Sequence, residues 1–258
     1  MDAQKGQKVR SKAKKEELRQ ALQKSTVFDA LVGHIQNALD MQGLQSAALQ
    51  LLRRVLLRNK VLTAAVYQCI DTIGEIMITG SDKRTSQQCA QIYVDFMLDY
   101  PHEAKALQQR MNHLLKNLGY AEEGGRRATL NCLYLVVLHF PENQLSTTWG
   151  SLIFAAAAAR LSSETDATCH QMLHVLILSL LRKINTSSRQ KLLDLVLKWS
   201  TAPTVLAECL GLFVEASRDA SESMVSLVLV ALCKLCKSGT DTPWQVSYAI
   251  FKSFERIL

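Results

Sequence analysis

His170 and His174 stand four residues apart, with Cys169 beside the first. On a helix that spacing puts both imidazoles on one face, and imidazole and thiolate are donors that zinc favours. The HExxH arrangement of metalloproteases has the same histidine separation, but here Gln171 stands where the general-base glutamate would be. Cys169 also occupies a repeat position filled elsewhere by Ala48 and Thr129, so a small residue for close helix packing accounts for it. Cys233-Lys234-Leu235-Cys236 is a CxxC pair, but no second pair follows it and no βαβ pattern surrounds it. Set among Val228, Leu229, Leu232 and Leu235, it reads as two buried structural thiols. Asn185-Thr186-Ser187 fits a glycosylation sequon, yet nothing routes the chain to the secretory pathway, and the stretch reads as an interhelical loop. Gly124-Gly125-Arg126-Arg127 lacks the lysine and the preceding strand of a phosphate-binding loop, and reads as a loop or loose first helical turn. None of the six histidines is joined by a motif to a serine or cysteine nucleophile with an orienting carboxylate. The sequence therefore offers no catalytic residue, no metal ligand, no cofactor site and no small-molecule substrate.

Charge is the other chemistry on offer. The net charge of +7 is unevenly placed, since residues 1–24 hold eight Lys or Arg against Asp2, Glu16 and Glu17. This leader, with Lys12, Lys14 and Lys15 at its centre, suits phosphate contact or a nuclear address, or equally a solvated, frayed terminus. Farther along, Arg53-Arg54 with Arg58, Lys83-Arg84, Arg126-Arg127 and Arg182-Lys183 recur as basic clusters. On one side of a repeat structure they would form a discontinuous track for RNA phosphates or acidic protein segments. No aromatic residues interleave them in a stacking pattern, which favours the plainer reading of a solvated helical face. For Arg182-Lys183 that reading is complementation of a helix C-terminus.

The elements that must position these residues are helices. Hydrophobic residues make up 48% of the 258, only 6% are aromatic, and four prolines and eleven glycines interrupt the pattern, a balance that favours helix over strand. The longest apolar runs, Leu152 to Ala159, Leu133 to Phe140 and Leu173 to Leu181, fall well short of the ~20 residues a membrane span requires. With a hydrophilic start and no secretory signal pattern, this predicts a soluble intracellular protein, and seven cysteines in apolar helical patterns suit a reducing compartment.

Aligning the segments that begin at Ala48, Cys89, Thr129, Cys169 and Cys209 exposes a repeat with spacings of 41, 40, 40 and 40 residues. Position one is always small. Position four is apolar (Leu51, Ile92, Cys132, Met172, Leu212), and position eight is Val55, Phe96, Val136, Leu176 and Ala216. Spacings of three, four and seven place these on one helical stripe. A looser sixth copy has Ser247, Ile250 and Phe254, two residues early. First helices are predicted over 27–40, 61–79, 102–118, 142–161, 187–201 and 220–238. Their partners fall over 42–58, 82–99, 122–140, 165–184, 203–217 and 242–257. Helix pairs with a period of about forty residues are the signature of HEAT-type repeats, whose pairs bury their faces only by stacking. The expected fold is all-α, a HEAT/armadillo-like α-solenoid of about six helix pairs over residues 25–258, after a basic leader at 1–24.

From Val61 to Glu215 the sequence also carries an ordered set of more specific motifs. They are Phe96-Met97-Leu98-Asp99-Tyr100-Pro101, Leu114-Leu115-Lys116-Asn117-Leu118-Gly119-Tyr120, Gly125-Arg126, Phe140-Pro141, Ala167-Thr168-Cys169 and Gly211-Leu212-Phe213-Val214-Glu215. In order and spacing these resemble the HEAT-repeat component of the small-subunit processome, the U3 small nucleolar RNA-associated family also called "down-regulated in metastasis". The resemblance implies a non-enzymatic scaffold in the nucleus and nucleolus, supporting processing toward 18S ribosomal RNA and 40S assembly. It implies pre-ribosomal proteins as partners, with pre-rRNA or U3 snoRNA as the RNA, and neither a membrane nor a cofactor. The candidate contacts to RNA or acidic partners are Lys12, Lys14, Lys15, Arg53, Arg54, Arg58, Lys83, Arg84, Arg126 and Arg127. The rival expectation is a generic helical-repeat adaptor that binds protein without touching RNA.

Overall fold

The computed structural model describes residues 26–41, 43–199, 202–217, 222–237 and 244–255. The described residues form twelve helices and no strand. They fall into two compact units, residues 1–107 and 108–258. Each is an all-α stack of helical hairpins, the architecture of an α-solenoid. The leader at 1–24, with Lys12, Lys14 and Lys15, lies outside the described residues.

The first unit begins with α1 (Thr26–Leu39) and α2, whose α-helical part Gln45–Leu51 continues as a π-helical stretch, Leu52–Leu57. A second hairpin follows, α3 (Ala64–Thr79) and α4 (Lys83–Asp99), and α5 (Ala104–Asn117) starts at the unit's end. First helix packs on first helix, α1 on α3, and second on second, α2 on α4. The apolar positions explain why. Val66, Cys69, Ile70, Ile73 and Met77 on α3 recur at three- and four-residue steps and are buried, as are Cys89, Ile92, Tyr93 and Phe96 on α4. Thr63 and Asp82 cap the two helices by accepting from the backbone N–H of Val66 and of Arg84 and Thr85, satisfying donors that the first turns leave open.

The second unit holds α6 (Glu123–His139), α7, α8 (Ala167–Lys183), α9 (Thr186–Val196), α10 (Pro203–Ala216), α11 (Glu222–Lys237) and α12 (Trp244–Glu255). Helix α7 is composite: Glu142–Gln144, a π-helical Leu145–Trp149, then Gly150–Leu161. Gly150 sits where that wide turn closes, and a Cβ there would lie 2.5 Å from the Leu145 carbonyl oxygen. Second helices again form a row, with α8 packed between α6 and α10, and α12 against α10. Pro203 takes the first position of α10, where a missing N–H costs nothing.

The repeat's first position behaves as its small residues imply. Ala48, Cys89, Thr129, Cys169 and Cys209 are all buried, four of them completely. Two details differ from the sequence reading. Leu51, at position four of the first copy, is exposed, because the buried residues among the described side chains of α2 are Ala48, Leu49 and Leu52, and the π-helical spacing beyond carries Val55 to a half-buried place. In the sixth copy Ser247 is exposed and Ala249 is buried, so the forty-residue register holds without any shift from Cys209 to Ala249. The contact that fixes it is a close crossing of α10 and α12. Ser253 Oγ lies 2.6 Å from the Ala207 carbonyl oxygen, and a Cβ on Gly211 would meet that hydroxyl at 2.6 Å and the Ser253 Cα at 3.1 Å. Only glycine lets the two helices approach so near.

Candidate functional site

In the first unit, α2 and α4 run side by side as second helices and leave a groove between them. Arg53, Arg54 and Arg58 rise from α2 and its end, and Lys83 and Arg84 from the start of α4, all exposed. One stretch, of about 400 Å³, is lined by Arg53, Arg54, Arg58, Asp95 and Asp99, with Phe96 and Tyr100 at its base. The adjoining stretch, about 330 Å³, is lined by Arg53, Arg84 and the amides of Gln50, Gln87, Gln88 and Gln91. Arg53 Nη2 donates to Asp95 Oδ2 at 3.0 Å, and Gln91 Nε2 donates to the other oxygen of Asp95 at 2.7 Å. The groove is thus polar and net basic, rich in donors, and floored by buried rings that no base can reach for stacking.

Arg126 and Arg127 have a different fate. Arg126 is buried, and its guanidinium forms a bidentate pair with Glu164, Nε to Oε2 at 2.9 Å and Nη2 to Oε1 at 2.8 Å. Its Nη1 donates to the carbonyls of Tyr120 and Ala121 at 3.0 and 2.7 Å. The Glu164 side chain has no solvent exposure at all. Burial alone would raise its carboxyl pKa, but hydrogen bonds from Arg126 and the Asp166 N–H, the Arg126 charge and a contact from Arg160 outweigh that and hold it at about 2. Arg127 is part-exposed and pairs with Asp166 at 2.8 Å, while Asp166 caps α8 by accepting from the Cys169 N–H. The hydrogen bond from Arg127 leads the causes that keep Asp166 well below the usual carboxylate range. Placing Arg126 on a contact surface is therefore corrected. Its donors turn inward and tie the start of α6 to the loop before α8. Gly124 and Gly125 form the first turn of α6, with no phosphate cradle.

Lys183 donates to the carbonyl of Leu138 near the C-terminus of α6, and Arg182 lies 3.8 Å from Glu215 on α10. Asn185 caps α9 by accepting from the Ser188 N–H at 2.8 Å. Cys233 and Cys236 are exposed, contrary to the sequence reading: among the described side chains of α11 the buried ones are Val228 and Leu232, and none lies beyond Leu232. The Cys169 thiol is buried, and burial is the main cause of its pKa rising to about 11. Its two histidine neighbours do find a third group. Glu208 on α10 places Oε2 3.1 Å from His174 Nε2 and 3.6 Å from His170 Nε2. Nothing in the local sequence signals this residue, which lies a full helical hairpin farther along the chain.

No family model matches the chain. Over 157 residues it is 29% identical to U3 small nucleolar RNA-associated protein 20 of Schizosaccharomyces pombe, a stretch that is 61% of this chain and 6% of that protein. It is 24% identical over 177 residues to U3 small nucleolar RNA-associated protein 20 of Saccharomyces cerevisiae, which is 68% of this chain and 7% of that one. The resemblance is to that family, over part of its length. The chain spans less than a tenth of the length of the curated relatives it matches.

Several of the motifs through which the sequence resembles the U3-associated family have structural roles in this chain. Phe96 and Tyr100 stack at 4.4 Å, Tyr67 meets Phe96 edge-on at 5.1 Å, and the Tyr67 hydroxyl donates to the Pro101 carbonyl. Gly125-Arg126 supplies the clasp to Glu164, Phe140 closes α6 by donating its N–H to the Val136 carbonyl, and Gly211 permits the α10–α12 crossing. Among the described residues, no helix is long and apolar enough to cross a membrane.

Proposed function

We propose that this chain is a non-enzymatic helical-repeat scaffold of small-subunit ribosome biogenesis, working in the nucleolus with U3-containing pre-ribosomal particles toward 18S ribosomal RNA. The observation that carries this is the similarity to two U3 small nucleolar RNA-associated proteins over three-fifths or more of the chain. The geometry supports a binding role over a catalytic one. The groove between α2 and α4 is open and basic, and its cations stand on those two helices and at the end of α2. Arg54, Arg58, Lys83 and Arg84 are the side chains to meet pre-rRNA or snoRNA phosphates, with the glutamines of α4 as neutral donors. The leader lysines Lys12, Lys14 and Lys15 extend the same chemistry, and Arg127 adds to it only at the expense of its pair with Asp166.

The test is co-sedimentation of the tagged chain with U3-containing particles, together with the salt dependence of binding to a structured pre-rRNA fragment. Scaffold contact with RNA gives an affinity that falls with salt at a log–log slope of about 0.7–0.9 per phosphate neutralised. Arg54→Glu/Arg58→Glu lowers that slope by roughly two such increments. Absence from the particles with the fold intact overturns the reading. A second reading, a protein-only adaptor, is favoured by Asp95 and Asp99, which place acidic groups among the groove arginines. A flat salt profile with retained protein partners selects it.

A further inference from the structure

We propose that His170, His174 and Glu208 form a binding site for one divalent transition-metal ion of zinc's class, clamping α8 to α10. Two of the donors come from one turn of α8, where the four-residue step sets the imidazole rings edge-on with centroids 4.7 Å apart. The third comes from α10, which packs directly against α8. A single carboxylate oxygen, Glu208 Oε2, lies 3.1 Å from one Nε2 and 3.6 Å from the other. A tetrahedral zinc ion with bonds of about 2.0–2.2 Å holds its ligand atoms about 3.3–3.6 Å apart, so both histidine–carboxylate separations are close to what the bound geometry requires. The three donor atoms all lie within 4.8 Å of one another, and small imidazole rotations close the remainder.

The surroundings suit an ion better than they suit three isolated side chains. The groups are 31%, 22% and 19% exposed, which leaves room for water to complete the coordination without demanding that a charge be buried. The backbone beneath them is fixed by completely buried residues on both helices, Leu173 and Ile177 on α8 and Cys209 and Leu212 on α10. That rigidity means the site is largely formed before metal arrives. Two imidazoles and a carboxylate select zinc-like ions over magnesium or calcium, which prefer oxygen ligands alone. Cys169 takes no part, since its thiol is buried against α6, with Sγ 3.8 Å from the Glu123 carbonyl oxygen. The inference stands apart from the proposed role in ribosome biogenesis.

Zinc is the probe. The metal-stripped 258-residue chain is titrated with Zn²⁺ by competition against a chromophoric chelator, and its melting temperature is followed with and without Zn²⁺. One equivalent should bind and raise the melting temperature. Glu208→Gln and His174→Gln should each weaken binding by about 100-fold or more, beyond the 10–100-fold that loss of a mere supporting partner costs. All three side chains are partly exposed, so the variants keep the helical circular dichroism of the parent, and His170→Gln provides a third check. Cys233→Ser/Cys236→Ser should leave the binding unchanged, and Co²⁺ in place of zinc should give visible bands without the near-ultraviolet thiolate charge transfer. No retained zinc in the parent overturns the site, leaving a plain His174–Glu208 hydrogen bond between helices. So does zinc that survives Glu208→Gln and His174→Gln but vanishes with the two exposed cysteines.

Discussion

Glu164→Gln removes one charge from the most enclosed ion pair among the described residues. Its carboxylate is wholly inaccessible, and the Arg126 guanidinium opposite is 7% exposed. The glutamine amide keeps one acceptor for Arg126 but presents an NH2 group to the second guanidinium N–H, a donor facing a donor. Arg126 then retains the Tyr120 and Ala121 carbonyls but loses its counter-charge, and a guanidinium cannot shed its proton to escape. Breaking a buried pair from one side costs about 3–5 kcal/mol, and this side belongs at the upper end. Arg126→Met belongs at the lower end, because the stranded carboxylate keeps Arg160 at 3.3 Å and the Asp166 N–H at 2.9 Å, and it can protonate. Arg127→Gln, at a pair 43% and 23% exposed and open to solvent screening, serves as the control and costs far less.

The assay is urea denaturation of the three variants, of Glu164→Leu and of Arg126→Met/Glu164→Leu, the last two closing a double-mutant cycle with Arg126→Met. The double variant should be less destabilised than the sum of the singles, since two apolar groups no longer strand a charge. Acid provides an independent readout with a defined sign. The folded-state pKa of Glu164 is depressed from 4.5 to about 2, so between those values the unfolded chain binds the extra proton. Stability from this pair is full above pH 4.5, declines as pH falls through the window, and is lost near pH 2. Parent protein should lose stability across that interval by more than Glu164→Gln does. A cost for Glu164→Gln below about 1 kcal/mol, equal to the exposed control, would refute the claim that this clasp holds α6 to the loop before α8.

Leu176→Ala, at a completely buried repeat position on α8, should cost about 2–5 kcal/mol in the same denaturation assay. An unchanged transition would place Leu176 outside the core and undo the repeat alignment. Gly211→Ala forces a methyl against Ser253 and should destabilise by about 1–3 kcal/mol, whereas Gly124→Ala, with open space around it, should be close to neutral. Thr63→Ala removes the cap of α3 and should cost about 1 kcal/mol, recoverable with Thr63→Ser or Thr63→Asp.

Periodicity made the fold readable and left the partnerships obscure. The forty-residue spacing marks Ala48, Cys89, Thr129, Cys169 and Cys209 as inward, and every one is buried, because a recurring small side chain is a local signal of close helix packing. Register was harder where the signal thinned. The sixth copy aligns on Ser247, which is exposed, although Ala249 keeps the forty-residue step and is buried. Cys233 and Cys236 show a related error. An apolar neighbourhood in sequence does not ensure burial, since a helix needs something to pack against along its whole length. The charged residues were least legible of all. Arg126 finds Glu164 38 residues away and His174 finds Glu208 34 residues away, and no window of one or two turns contains both partners.

That separation says something about how such a stack is held. Apolar stripes are much alike from repeat to repeat and tell a helix only that it must be covered, not by which neighbour or at what offset. The polar links between successive second helices, or the loops that lead into them, carry that information. Arg53 reaches Asp95, Arg126 and Arg127 reach Glu164 and Asp166, His174 reaches Glu208 and Arg182 approaches Glu215. Each link spans roughly one repeat, so each penalises a slip that the hydrophobic effect alone would tolerate. A basic doublet in this chain can therefore serve as a register device, and acidic partners one repeat away mark the ones that do. Arg126 is consumed by the fold, whereas Arg54, Arg58, Lys83 and Arg84 remain at the surface, where their charge can act on a partner.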